Sequence, residues 1–156
     1  MNILRPLAAR IVGQSIRLFA RAITAVRADW QGIEPIPRQR VYYSNHTSNG
    51  DMPMIWSVLP PALRRDVRPV AAADYWLKNK LRAFVGPEVF NCVLIDRRPE
   101  VDDKPMDKIL AALDEGSSLI IFPEGNRNMT DADLLPFKAG LYNMGLARPD
   151  VDLVPT

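Results

Sequence analysis

The most informative stretch for the fold class is Ser117-Ser118-Leu119-Ile120-Ile121-Phe122-Pro123-Glu124-Gly125. Its first six residues, 117–122, predict a continuous apolar β-strand that is buried on both faces. Helical patterns flank this strand, at 105–115 before it and at 138–148 after it. Strands that alternate with helices indicate an α/β fold, in which helices cover both faces of a mostly parallel sheet.

The same alternation continues outward from this stretch. Further strands are predicted at 41–44, 69–73, 90–95 and 150–154. Further helices are predicted from residue 51 and at 76–85, and we expect Gly86 to end the second of them. A basic loop is expected before the strand at 69–73, and it contains Arg64, Arg65 and Arg68.

Residues 3–26 predict an amphipathic N-terminal helix that precedes the α/β core. At 100° per residue, six apolar side chains share one broad face: Leu4, Leu7, Ile11, Leu18, Ala22 and Val26. That face is flanked by Arg10, Arg17 and Arg21, and no acidic residue occurs before Asp29. A basic helix of this kind is typical of a membrane interface. Two alternatives stay open, a helix packed on the domain with a solvated basic edge and an arginine-rich targeting presequence.

Three segments are therefore predicted: a membrane-interface helix at 1–30, a linker at 31–40 and a core at 41–156. A core of this length fits a single domain. The net charge of +2 is too small to indicate a nucleic-acid partner. One cysteine, Cys92, and one histidine cannot form an internal disulfide or an N/S zinc site, and we expect no metal. The sequence contains no Walker A motif, dinucleotide fingerprint or G-x-S-x-G elbow.

The single histidine, His46, lies in the segment Asn45-His46-Thr47-Ser48-Asn49-Gly50-Asp51. Histidine exchanges protons readily near neutral pH, and a carboxylate bound to one ring nitrogen leaves the other nitrogen free as a base. In a continuous helix, the five-residue separation would turn His46 and Asp51 about 140° apart. The two side chains meet only if the backbone bends between them, and Gly50 permits such a bend.

Polar clusters follow the ends of three predicted strands: Asn45-His46, Asp96-Arg97-Arg98 and Pro123-Glu124-Gly125-Asn126-Arg127. Ligands of open α/β sheets bind beyond the carboxyl ends of the strands, so we expect the three clusters to form one site. Arg97 and Arg127 are planar cations suited to phosphate. Gly125 allows the backbone to approach a ligand closely, and Glu124 is suited to orient an arginine or a substrate hydroxyl. A base beside a phosphate clamp points to deprotonation of a hydroxyl on a phosphorylated small molecule.

Four segments resemble, in order and spacing, the motifs of the glycerolipid acyltransferase family, which includes lysophosphatidic acid and glycerol-3-phosphate acyltransferases. Residues 45–51 resemble its N-H-x4-D motif, and residues 122–128 resemble its F-P-E-G-T-R-S motif. Residues 94–97 resemble the end of its G-x-x-F-[IV]-D-R motif, and residues 154–155 resemble a fourth motif of an apolar residue and proline. The resemblance extends from about residue 41 to the last residue.

The resemblance implies a role for each matched position. His46 is implied to be the general base that deprotonates the acceptor hydroxyl, and Asp51 is implied to orient it. The residues implied to bind the phosphate and glycerol part of the acceptor are Arg97, Glu124, Gly125, Arg127 and Lys138. The acyl donor is implied to be a thioester, either acyl-CoA or acyl carrier protein, which is attacked directly without a covalent acyl-enzyme and without a cofactor.

The function implied is that of a phospholipid-biosynthesis enzyme, an O-acyltransferase bound peripherally to the cytoplasmic face of a membrane. Its implied acceptor is a membrane lysophospholipid such as 1-acyl-glycerol-3-phosphate. Two alternatives stay open: an enzyme for another acceptor, glycerol-3-phosphate or a lyso-aminolipid, and a non-catalytic lipid-binding module. A serine hydrolase built on Ser44 or Ser48 is disfavoured because no nucleophile elbow is present.

The chain departs from the family pattern at several positions. Asparagine replaces the usual glycine, threonine and serine at three motif positions, and leucine replaces phenylalanine at a fourth: Asn91, Asn126, Asn128 and Leu94. Many relatives carry a lysine in the strand after the first motif, where this chain has Ala72 and Ala73, which removes one phosphate contact. Relatives also continue beyond the fourth motif. A short member, a fragment and an enzyme with an incomplete acyl-chain tunnel therefore all stay open.

Overall fold

The computed structural model describes residues 4–96 and 104–156. In chain order the elements of these ranges are α1 (Leu4–Thr24), β1 (Arg40–Tyr43), α2 (Asp51–Val58), α3 (Pro61–Arg64), β2 (Val67–Ala72), α4 (Ala73–Trp76), α5 (Lys80–Phe84), a π-helical turn (Val85–Val89), β3 (Val93–Ile95), α6 (Pro105–Asp114), β4 (Ser118–Ile121), α7 (Gly140–Ala147) and β5 (Asp152–Pro155).

Within the described ranges the five strands form one sheet in the order β3-β2-β4-β1-β5, and every neighbouring pair is parallel. The predicted α/β class, with a parallel sheet preceded by an N-terminal helix, is confirmed. β4 is the central strand, and all four of its residues are buried, as its apolar sequence predicts. Because β1 and β4 are parallel neighbours, the loops that follow them meet at one edge of the sheet.

Alternate residues of β4 face two apolar cores. Ile120 belongs to a core on one face that includes Trp56 of α2. Leu119 and Ile121 belong to a core on the opposite face that includes Leu113 of α6 and residues of α7. Helices therefore cover both faces of the sheet, which leaves its carboxyl edge as the place where polar loops are exposed to solvent.

The predicted helix at 76–85 is confirmed only from Lys80 to Phe84, and the role given to Gly86 is wrong. The chain leaves helical structure after α4, and Asn79 starts α5 by accepting a hydrogen bond from the backbone N–H of Arg82 at 2.9 Å. Helical structure then continues through Gly86 in the π-helical turn. A Cβ at Gly86 would lie 2.7 Å from the Trp76 ring, so this glycine is needed for close packing and does not end a helix. The expected basic loop is also wrong in part, because Arg64 ends α3 and Arg68 lies in β2.

The N-terminal helix packs on the core through its small side chains. Ala9, Gly13 and Ala20 are buried, and a Cβ at Gly13 would lie 3.2 Å from Val89 in the π-helical turn. The large apolar side chains stay outside, with exposed fractions between 52% and 73% for Leu4, Leu7, Ile11, Leu18, Phe19 and Ile23. The helix therefore packs on the domain while its predicted apolar face remains uncovered. In the described residues, no helix has the length and apolar character needed to cross a bilayer.

Candidate active site

His46 and Asp51 come together just after the carboxyl end of β1. His46 Nδ1 lies 2.9 Å from Asp51 Oδ2. The chain between β1 and α2 is irregular, and α2 begins only at Asp51, which lets the two side chains meet. Gly50 has ordinary right-handed backbone angles, φ −83° and ψ −18°, so the expectation that its special freedom makes the bend is wrong. Its lack of a side chain instead leaves room for the hydroxyl of Ser48, 3.3 Å from a Cβ position.

The carboxylate of Asp51 accepts several hydrogen bonds from the loop that precedes it. Oδ2 accepts the backbone N–H groups of Thr47 at 2.7 Å and Ser48 at 2.8 Å, and Oδ1 accepts the Ser48 hydroxyl at 2.6 Å. Burial raises the pKa of Asp51, but the hydrogen bonds from Ser48, His46 and Thr47 together bring that pKa below its ordinary value. An ionised carboxylate only accepts hydrogen bonds, so Nδ1 of a neutral His46 carries the proton and Nε2 has a free lone pair.

The loop after β4 holds His46 from the other side. The imidazole stacks on Phe122, with ring centroids 4.3 Å apart and an angle of 21° between the planes. The His46 carbonyl accepts the backbone N–H of Asn128 at 2.7 Å. The buried Asn128 side chain in turn accepts from Thr130 and donates to the carbonyl of Ala132. Sequence reasoning missed the contacts of Phe122 and Asn128 with His46, although both residues lie within residues 122–128, the segment that resembles the F-P-E-G-T-R-S motif.

Two cations line the same cleft as this histidine. Arg127 and Lys138 line the same cleft as His46, and neither has an acidic partner in the described part of the chain. Gly125 has a positive φ of 74°, and a Cβ there would lie 2.6 Å from Lys138 Nζ. The backbone conformation therefore favours glycine at 125, and the end of the Lys138 side chain lies across it.

The cleft has a volume of about 560 Å³. Its polar end contains His46, Arg127 and Lys138, and its apolar wall includes Val70, Ile95, Met106, Ile109, Leu141 and Met144. A larger cavity of about 860 Å³ lies between residues 26–33, α2 and the end of β5. Asp51 borders that cavity but His46 does not, so we place the site in the smaller cleft, which contains the free base and the cations. Its lining can receive a ligand with an anionic end and an apolar part.

Comparison with known proteins fits this geometry. A model of the Acyltransferase family matches residues 27–156. The chain belongs to this family. Taffazin from Dictyostelium discoideum is 31% identical over an alignment of 114 residues, and the match covers 68% of this chain and 38% of that protein. The 1-acyl-sn-glycerophosphate (LPA) acyltransferase PlsC from Thermotoga maritima has a similar fold, with a TM-score of 0.61 and 21% identity over 92% of this chain. This acyltransferase-family chain covers 56% of the PlsC chain, so it spans less than two thirds of either protein.

The remaining predicted residues of this acyltransferase-family site differ in their placement. Glu124 is 3% exposed, and neither of its carboxylate oxygens has a hydrogen-bond partner within the described residues. Glu124 lies behind the cleft wall, whereas its neighbours Pro123 and Gly125 line the cleft. Arg97 lies outside the described residues. The structure thus brings His46, Gly125, Arg127 and Lys138 to one cleft, and Asp51 holds His46 from outside the lining of that cleft.

Proposed function

We propose that this protein is an O-acyltransferase that moves a fatty acyl group from an acyl thioester to the hydroxyl of a phosphorylated lysolipid such as 1-acyl-glycerol-3-phosphate. The observation that carries the proposal is the shared cleft. His46, whose Nδ1 is bound to an ionised Asp51, lines it together with two cations that have no acidic partner in the described residues. Such an arrangement suits a hydroxyl nucleophile attached to a phosphate.

The reaction follows from the free nitrogen of His46. Nε2 takes the proton of the acceptor hydroxyl while the oxygen attacks the thioester carbonyl, and Asp51 stabilises the imidazolium that forms. The tetrahedral intermediate then collapses, the carbon–sulfur bond breaks, and Nε2 returns the proton to the leaving thiolate. The product is an ester and a free thiol, and the base is regenerated. The donor in this proposal is acyl-CoA or acyl carrier protein, with no cofactor.

A direct transfer agrees with the state of the cysteine. Burial raises the pKa of the Cys92 thiol to about 12, so this residue is not a thiolate nucleophile at neutral pH. The Ser48 hydroxyl donates to Asp51 and is not bonded to His46. Neither side chain is therefore activated to carry an acyl group, and the acceptor hydroxyl is the nucleophile in our proposal.

In our proposal Lys138 supplies the positive charge that this chain lacks at Ala72 and Ala73. The family resemblance implies a lysine near this position in many relatives. This chain has Ala72 there, which lines the cleft and contributes no charge. Lys138 reaches the cleft from a different segment, and its side chain lies across Gly125. We propose that Arg127 and Lys138 bind the acceptor phosphate, that Arg97 assists in holding the phosphate, and that Glu124 assists in holding the glycerol part.

Acyl transfer to a panel of acceptors tests this function. Purified protein is incubated with radiolabelled acyl-CoA or acyl carrier protein and with 1-acyl-glycerol-3-phosphate, glycerol-3-phosphate or a phosphate-free lyso-aminolipid. We expect the phosphorylated lysolipid to be the preferred acceptor and the His46→Ala variant to be inactive by comparison. A preference for the phosphate-free acceptor would contradict the phosphate role of the two cations. Lipid binding without transfer to any acceptor would favour the non-catalytic module.

The N-terminal helix supports a peripheral membrane location. Six large apolar side chains are exposed on α1, which is more than an ordinary water-exposed helix carries. Its arginine-rich flank is complementary to the negative surface of a cytoplasmic leaflet. We propose that α1 lies in the interface on that face, where it brings the cleft to membrane lipids. Replacement of Leu7, Ile11 and Leu18 by serine should lower co-sedimentation with vesicles at every salt concentration, and unchanged sedimentation would contradict the location.

A further inference from the structure

Two arginines of the N-terminal helix, Arg17 and Arg21, lie within electrostatic reach of Arg64 at the end of α3. The Arg64 guanidinium lies over the Trp56 ring, 5.1 Å from its centroid, and Trp56 also lies 3.6 Å from the Cβ position of Gly13 on α1. Arg17 follows Gly13 by one helical turn, and Arg21 follows by two turns. Trp56 therefore lies between Arg64 and the part of α1 that precedes Arg17 and Arg21, and the charges of these two arginines act on Arg64.

The charges of these three arginines are not compensated by acidic residues in the described part of the chain. Among the described residues, none of the three arginines forms an ion pair with a carboxylate, and Arg17 Nε instead donates to the amide oxygen of Gln14 at 2.9 Å. Burial lowers the pKa of Arg64, and repulsion from Arg17 and Arg21 lowers that pKa further. Arg64 is nevertheless held in place, because Nη1 donates to the Leu59 carbonyl at 2.9 Å at the end of α2. A fixed cation next to two others favours a multivalent anion.

The position of the cluster indicates where that anion comes from. On the helical wheel of α1, Arg17 and Arg21 lie between the stripe packed on the core and the exposed apolar face that includes Leu18. When the apolar face enters a bilayer, this flank lies at the level of the lipid headgroups. A phosphomonoester carries up to two negative charges and three acceptor oxygens, and guanidinium groups bind such oxygens in pairs.

We infer that Arg17, Arg21 and Arg64 form a second anion site, outside the catalytic cleft, which binds the phosphomonoester headgroup of a membrane lipid. The inference rests on the membrane location in the proposed function and adds a headgroup preference to it. A general attraction to negative surfaces depends on charge density alone. A site of three guanidinium groups should instead distinguish phosphomonoesters from phosphodiesters at the same surface charge.

The test uses the full chain and two kinds of phosphatidylcholine vesicle. One contains phosphatidic acid and the other phosphatidylglycerol, in amounts adjusted to the same zeta potential. We expect the unmodified protein to bind the phosphatidic acid vesicles about tenfold more tightly, the effect of one additional hydrogen bond between charged groups. The double variant R17Q/R21Q should lose this ratio. The matched variant R10Q/R27Q removes the same charge and should weaken binding to both vesicles while it keeps the ratio.

The outcomes separate this inference from the proposed function. Equal binding of the unmodified protein to both vesicles, or an equal loss of the ratio in both double variants, would show general electrostatics and overturn the site. Failure to bind either vesicle would contradict the membrane location itself. If R17Q/R21Q raises the KM for an acyl carrier protein donor and leaves vesicle binding unchanged, the cluster binds an acidic protein and the inference is wrong. Thermal unfolding of each variant confirms that the fold is retained.

Discussion

The two loops that meet at the cleft differ in how completely the protein satisfies their charged groups. In the loop after β1, Asp51 accepts four hydrogen bonds, including the one from His46. In the loop after β4, Glu124 is buried without a hydrogen-bond partner in the described residues, and Arg127 has no acidic partner there. The charged side chain of the first loop is thus paired within the protein, whereas Glu124 and Arg127 of the second loop have no such partner in the described residues.

The proposed function accounts for this difference. A base gains from being fixed before the substrate arrives, because no reorganisation is then needed when the proton moves. A binding site for an anion gains from cations that are not already neutralised by the protein. We therefore expect changes in the first loop to alter kcat and changes in the second loop to alter the KM of the acceptor.

The largest effect is expected from removal of the base. His46→Ala should lower kcat by about a hundredfold to ten-thousandfold, the usual range for a lost general base. The melting temperature should change little, since the imidazole is partly exposed in a loop. Steady-state acyl transfer with acyl-CoA measures the effect. Retention of most of the activity would exclude His46 as the base and would remove the functional distinction between the two loops.

A smaller loss is expected for Asp51→Asn. The backbone N–H groups of Thr47 and Ser48 should keep the remaining carbonyl oxygen of residue 51 at the Oδ2 position, facing Nδ1 of His46. The imidazole then keeps its tautomer but loses the charge that stabilises the imidazolium. We expect kcat to fall by about tenfold to a hundredfold, the value of a hydrogen bond to a charged group. A loss as large as that of His46→Ala would indicate that the tautomer is reversed.

Substitutions in the second loop should raise the KM for the acceptor. Arg127→Ala and Lys138→Ala should each raise the KM for 1-acyl-glycerol-3-phosphate by about tenfold, with little change in the KM for the acyl donor. Arg65→Ala is the matched control, because it removes an exposed arginine that does not line the cleft. An equal rise in both KM values, or a rise in the donor KM alone, would exclude the two cations as a phosphate clamp.

Much of the fold follows from periodicity. The buried strand at the centre of the sheet and the order of strands and helices are visible as apolar runs separated by glycine and proline. Periodicity failed around Gly86, where the indole of Trp76 occupies the space of a missing Cβ. A glycine that ends a helix and a glycine that allows close packing look the same in a sequence. Only the contact with the Trp76 ring shows that Gly86 is of the second kind.

The sequence indicated which loops would meet at the cleft, but it did not indicate the hydrogen bonds within them. The pairing of His46 with Asp51 could be anticipated, yet the bend that allows it is held by hydrogen bonds from Thr47 and Ser48 to the carboxylate. Such local hydrogen bonds produce no periodic pattern of residues in the sequence. The burial of Glu124 was equally hidden, because a charged residue in a polar cluster is normally expected at the surface.

Two glycines offer a milder comparison of the loops. Gly125→Ala places a side chain at a positive φ and against Lys138, so it should destabilise the protein by about 1–3 kcal/mol and raise the acceptor KM. Gly50→Ala is the comparison in the first loop, where the backbone angles are ordinary and a Cβ would lie 3.3 Å from the Ser48 hydroxyl, and its effect on stability should be smaller, about 1 kcal/mol or less. Chemical denaturation and acceptor kinetics measure both. Equal destabilisation by the two changes would contradict the special conformation assigned to Gly125.

The smallest effect concerns acid stability and tests how tightly the first loop holds its carboxylate. The folded state lowers the pKa of Asp51 below 3.8, because the donors from Ser48, His46 and Thr47 outweigh the effect of burial. A lowered folded pKa contributes stability that is fully present above the unfolded pKa and is lost as the pH falls through the folded pKa. The free energy of unfolding should therefore decrease as the pH drops from about 5 toward 3, and less so in Asp51→Asn. Asp131→Asn, which removes an exposed carboxylate from the second loop, should retain the decrease seen in the unmodified protein. If Asp51→Asn follows the same pH curve as the unmodified protein, the hydrogen bonds to Asp51 do not bind its ionised form more tightly than its neutral form, and the contrast between a completed loop and an open one is lost.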